Sequence, residues 1–112
     1  MPGGAQLSVT DMRASARCPV DFTTTGEHLT LGEMKLHICN VSTTGFMVDG
    51  CTGVERGHRV IVRFPTVGRI EGCCIWTHDE RAGFQFERII RLDDYAEMTA
   101  AMQPRARLRR LS

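Results

Sequence analysis

Between Cys18 and about Ile90 the chain alternates apolar and polar residues in short runs divided by turn signals. In "VDFTTT" Val20, Phe22 and Thr24 share one face, and the following "GE" offers a hairpin turn. In "MKLHIC" Met34, Leu36 and Ile38 oppose Lys35, His37 and Cys39. "FMV" follows Gly45, and "DGCTGVERG" is punctuated by glycine in the manner of a loop. "HRVIVRF" sets Val60, Val62 and Phe64 against Arg59, Ile61 and Arg63. "PTVG" then turns the chain into "RIEGCCIWT", and "HDER" turns it into "AGFQFE". Six or seven strands at a spacing of roughly 8–12 residues predict a small antiparallel barrel or sandwich.

The period changes after Ile90. In "LDDYAEMTAAM" Tyr95, Met98 and Met102 recur at helical spacing, Asp93 or Asp94 can cap the start, and Pro104 ends the run. The expectation is a mainly β domain with one C-terminal α-helix, the barrel over about 18–90 and the helix over about 92–103. Residues 1–12 read as a flexible arm, small and polar, and 104–112 as a basic tail. The absence of β-α-β alternation argues against a Rossmann or P-loop architecture.

With 112 residues there is room for one modest core, here taken as a single domain over 13–103. A net charge of +1 gives no global field for bulk nucleic acid or membrane, so neither DNA nor a bilayer is expected as a partner. "MPGGAQLSVTDM" has no basic and apolar succession of a secretory signal, and no apolar run reaches the roughly 20 residues of a membrane helix. The expected location is the cytoplasm, and the expected state a monomer or weak dimer.

Five cysteines (Cys18, Cys39, Cys51, Cys73, Cys74) form an odd set without C-x-x-C, and read as reduced thiols. A zinc site using His37, Cys39 and a distant pair is the alternative. Glu33, Glu71 and Glu87 lie on separate strands, and no His/Cys/Asp grouping has a recognisable catalytic order, so no enzyme activity, cofactor or metal is expected.

Arginine is the informative residue: 13 of the 14 basic side chains are Arg. The spacing R-x-x-x-R occurs three times, at Arg13/Arg17, Arg59/Arg63 and Arg105/Arg109. Arg59 and Arg63 project from one strand face, where charge discourages edge pairing. Arg105 and Arg109 lie beyond Pro104 in the tail, as a solvated end or a contact for an acidic partner or RNA. Arg13 and Arg17 sit where the arm meets the barrel, and Pro19 biases Cys18 out of the helical region. Paired guanidiniums there suit an anionic ligand, because the planar fork engages phosphate oxygens or the guanine O6/N7 edge bidentately.

A second stretch, "NVSTTG", contains the only asparagine in the chain. Asn40 can donate to and accept from a base edge, Ser42 can reach a ligand or its own turn, and Gly45 can let a ligand approach the main chain. The same three residue types also suit a plain β-turn.

Taken together, "RASAR", 22 intervening residues and "NVSTTG" resemble the two-part signature of the PilZ domain, a bacterial family that binds cyclic di-GMP. "CIWT" and "GFQFE" resemble the family's last two strands, so the likeness spans about residues 12–90. It implies a six-stranded antiparallel barrel of the split-barrel type and a second-messenger receptor. Arg13 and Arg17 would then clamp phosphates and guanine Hoogsteen edges, Asn40 would bond a guanine, Ser42 would support ligand or loop, and Gly45 would permit close approach. Asparagine replaces the family's more frequent Asp at position 40, and apolar Met12 before the first arginine implies one bound nucleotide rather than an intercalated pair. Output would pass to an unidentified downstream protein in motility or biofilm regulation. The alternatives are a PilZ-like adaptor without nucleotide and a small RNA-binding barrel. The latter lacks exposed aromatics, since Phe22, Phe46, Phe64, Phe86 and Trp76 fall mostly in core phase.

Overall fold

The structure is a computed structural model that describes residues 16–103. The expected arm, with Met12 and Arg13, and the basic tail from Pro104 lie outside the described residues. Six strands are present: β1 (Cys18–His28), β2 (Gly32–Val41), β3 (Gly45–Asp49), β4 (Arg59–Phe64), β5 (Gly68–His78) and β6 (Arg81–Phe86). One helix, α1 (Leu92–Ala101), follows. The strands close into an antiparallel barrel in the order β1-β2-β3-β6-β5-β4.

The period-two pattern decides which residues fill the interior. Leu36, Ile38, Phe46, Val48, Val60, Val62, Ile70, Cys74, Ala82 and Phe84 are all within 2% of complete burial. Phe46 stacks on Phe84 with centroids 4.9 Å apart, and Phe64 and Phe86 meet edge to face at 5.5 Å. Such pairs add about 0.5–1.5 kcal/mol each beyond the area they bury.

Two local expectations are corrected. The "GE" pair is no turn, because β1 runs on to His28 and the chain reverses over 29–31. Gly26 is instead a packing glycine, since a Cβ there would lie 2.6 Å from Leu36 Cδ1. Nor does Asp93 or Asp94 cap the helix: Arg91 occupies that position without a side-chain bond, and both acids sit in the first turn. There they oppose the positive end of the helix dipole.

The barrel closes unevenly. β1 and β2 are paired from Cys18↔Val41 to His28↔Gly32, whereas β1 meets β4 only at Gly26↔Val62, Glu27↔Ile61 and His28↔Val60. Beyond that seam the two strands part, bridged by the Thr24 hydroxyl donating to the Arg63 carbonyl at 2.9 Å. Met98 of helix α1 and its C-cap Met102 complete the core, both fully buried in one cluster with Val20, Phe64 and Ile90. Removing each methionine side chain from water stabilises the fold by about 1.5–3 kcal/mol.

The residues just past α1 also hold the root of β1. The Asp21 amide donates to the Met102 carbonyl at 3.3 Å, and Gln103 Nε2 donates to the Pro19 carbonyl at 3.4 Å. No helix among the described residues is long and apolar enough to cross a membrane.

Candidate functional site

The two halves of the sequence motif meet on the outer wall of the barrel. Arg17 Nη1 donates to Asn40 Oδ1 at 2.7 Å, across 23 positions of sequence. Arg17 is exposed and Asn40 half-buried. Pro19 pairs with Asn40, which sets the chain carrying Arg17 beside the end of β2.

Simple alternation would turn Asn40 inward, in phase with Leu36 and Ile38. A bulge between Ile38 and Asn40, where β2 pairs with β3, reverses that phase and sends Asn40 out opposite Met47. Extra residues of this kind re-aim side chains at sheet edges and beside sites. Asn40 Nδ2 lies 3.7 Å from Met47 Sδ, a weak acceptor, so one side of the amide remains lightly held.

Trp76 reaches the same face by the same device, which corrects its expected place in the core. A bulge between Cys74 and Trp76 shifts β5 by one residue, and Trp76 pairs with outward Gly83. The indole lies across that glycine: a Cβ on Gly83 would meet Trp76 Nε1 at 2.1 Å and Cε2 at 2.4 Å. Asn40↔Met47, Met47↔Gly83 and Gly83↔Trp76 therefore form one row across three strand junctions. Beside it Met47, Asp49, Trp76, His78, Asp79 and Arg81 line a hollow of about 440 Å³. Alternation alone could not have found Trp76; the signal for it is the glycine at 83 on an outward position, which leaves space for a large neighbour.

Ser42 and Gly45 have structural duties. The Ser42 Oγ accepts from the amides of Thr44 at 3.2 Å and Gly45 at 3.1 Å, while the Ser42 amide donates to the Gly45 carbonyl at 2.8 Å. Ser42 is 2% exposed and serves the turn between β2 and β3. A Cβ on Gly45 would lie 2.1 Å from the Phe84 carbonyl oxygen, so this glycine permits β3 and β6 to approach. Arg17 and Asn40 are thus brought together on the surface, and Ser42 and Gly45 shape the turn behind them.

Tyr95, which sequence reading assigned only to the helix core, ties this region to α1. Its hydroxyl donates to the Val41 carbonyl at 3.0 Å and lies 3.4 Å from the Ala16 carbonyl. Burial, and then the Cys18 thiol, push its phenol above the ordinary range. The Cys39 thiol is likewise raised by burial and then by Asp49, and it donates to the Met47 carbonyl at 3.5 Å. His37 Nε2 is held by Asp21 at 2.6 Å. Among the described residues no group of three or more His, Cys, Asp or Glu could hold a metal ion.

No protein-family model matches the chain. No curated protein matches it either.

Proposed function

We propose that this chain is a non-enzymatic receptor for cyclic di-GMP, in which Arg13 and Arg17 close over the dinucleotide against the barrel wall at Asn40. The observation that carries the reading is the 2.7 Å hydrogen bond between Arg17 and Asn40, which joins the two halves of the motif. One guanidinium of this kind can bind a phosphate or a guanine O6/N7 edge through two parallel N–H bonds. Asn40 can exchange its bond to Arg17 for one to a guanine edge, since its amide both donates and accepts. Trp76 offers an aromatic face on the same row, and a stacked base contributes about 1–3 kcal/mol.

The response would travel through the root of β1. Fixing Arg13 and Arg17 around a ligand pulls on a segment whose carbonyls are held by Tyr95 and Gln103. A changed setting of that segment against α1 alters the surface presented to a separate downstream protein in the cytoplasm.

Isothermal titration with cyclic di-GMP tests the reading. Saturable binding is expected, weakened at least about tenfold, or about 1.4 kcal/mol, by Arg17→Ala and by Asn40→Ala. Binding that persists undiminished in Arg17→Ala would falsify this site.

A second reading, an adaptor that binds no nucleotide, draws on Ser42 and Gly45. Both are accounted for by the turn and by the approach of β3 to β6. Two positions of the motif therefore suit the barrel with or without a ligand. Absence of heat from the folded protein, together with a defined complex with a purified partner, would select that reading.

A further inference from the structure

At the end of the barrel where β1 turns into β2, two histidines join two loops. His28 is buried, and its Nδ1 accepts from the backbone amides of Thr30 at 3.0 Å and Leu31 at 2.9 Å. Its Nε2 lies 2.9 Å from His58 Nδ1, which also accepts from the Glu55 amide at 3.1 Å. These contacts fix the protons. Two N–H groups aimed at His28 Nδ1 require a bare nitrogen there, so the neutral ring carries its hydrogen on Nε2 and donates it to His58. His58 Nδ1, receiving that bond and the Glu55 amide, is bare as well.

Neither ring can take a proton without losing its function. A proton on His28 Nδ1 would face two amide donors, and one on His58 Nδ1 would face an amide and the His28 N–H. The arrangement also argues against a shared metal ion, because His28 Nε2 is already protonated.

Several ionisable groups lie around the pair. Glu27, Arg59 and Glu71 line the outer hollow beside His28, and Arg59 lies 3.5 Å from Glu71. Glu55 and Arg56 flank His58 in its loop. Cys51 on that loop and Cys74 on β5 are thiols held protonated by burial. Among the described residues no carboxylate is hydrogen-bonded to either ring.

We infer that His28 and His58 form a proton-sensitive latch holding the β1–β2 hairpin against the 50–58 loop, closed only while both rings are neutral. The hairpin tip carries exposed Leu29 and Leu31, and a Cβ on Gly53 would lie 3.2 Å from Leu31 Cδ1. Acidification frees this apolar tip from the loop while the rest of the barrel keeps its ladders. The latch lies apart from the Arg17–Asn40 site and does not depend on nucleotide binding.

Amide hydrogen exchange on the whole chain, expressed as protection relative to intrinsic exchange, tests the inference. Between about pH 8 and about pH 5, the range where imidazoles change charge, protection of the Thr30, Leu31 and Glu55 amides should fall at least tenfold. The amides of Phe46 and Phe84 should keep theirs. In H28N/H58N, whose amide oxygens can accept the same backbone N–H groups without titrating, the selective loss should vanish. Unchanged protection at the three amides, a loss shared equally with Phe46 and Phe84, or a selective loss surviving in H28N/H58N overturns the latch. If that variant does not fold, ring nitrogen shifts of the wild type decide: protonated Nδ1 on either neutral ring refutes it.

Discussion

Trp76 lies across Gly83, so closely that a methyl group on the glycine would come within 2.1 Å of the indole Nε1. The fit fixes the only tryptophan of the chain on the outer wall, on the row that begins at Asn40. Gly83→Ala should lift the indole off β6, at a cost of about 1–3 kcal/mol for overpacking. A shifted tryptophan emission spectrum together with a lower melting temperature is expected. An unchanged spectrum would show that the ring does not depend on this glycine.

The Arg17–Asn40 bond should respond to charge. In Asn40→Asp the neutral acceptor becomes a carboxylate facing a guanidinium, but Arg17 is exposed and solvent screens the pair. A gain of about 0.2–1 kcal/mol at low salt is expected, shrinking as salt rises. Denaturant midpoints of the wild type and variant at two ionic strengths measure it.

Ser42 and Gly45 separate ligand effects from effects on the barrel. Ser42→Ala strips the acceptor from the Thr44 and Gly45 amides and should cost about 1–3 kcal/mol. Gly45→Ala drives a methyl group into the Phe84 carbonyl and should cost at least as much, near or above the upper end of the same range. Unfolding curves without any ligand check both values. A Gly45→Ala protein of wild-type stability would contradict the β3–β6 approach described above.

Tyr95 gives a prediction at high pH. Its phenol is raised by burial and then by Cys18, so the folded state retains the proton at pH values where the unfolded chain loses it. The resulting stability is fully present below the ordinary tyrosine value of about 10. It declines as pH rises from there through the higher folded value. Because Tyr95 is the only tyrosine, the phenolate absorbance band reports it alone. Tyr95→Phe should abolish that titration and cost about 0.5–1.5 kcal/mol through the lost bond to Val41.

The barrel was legible in the sequence because its interior is written with period two. Val60, Val62 and Phe64, and likewise Leu36 and Ile38, are inward as their alternation requires. The helix was legible from Met98 and Met102 for the same reason at a different period. The outer wall was only partly legible. Asn40 and Trp76 both stand in core phase if counted from Ile38 and Cys74, and a bulge before each turns it outward. Bulges depend on the pairing partner, which lies elsewhere in the chain. The resemblance to the two-part motif could therefore connect Arg17 with Asn40, whereas Trp76, Tyr95 and the His28–His58 pair required the fold.

The short seam between β1 and β4 has a consequence for how the molecule comes apart. With only Gly26, Glu27 and His28 zipped to Val62, Ile61 and Val60, this junction is the shortest ladder of the barrel and the one expected to open first. Its parting converts a closed cylinder into an open sheet with two free borders, the form in which β-proteins stick to one another. One border is "RVIVRF", where Arg59 at the start and Arg63 next to the end put positive charges around an apolar strand. In such an opened form those arginines would act as gatekeepers, because a charge at the border of an apolar strand discourages pairing with a neighbouring chain.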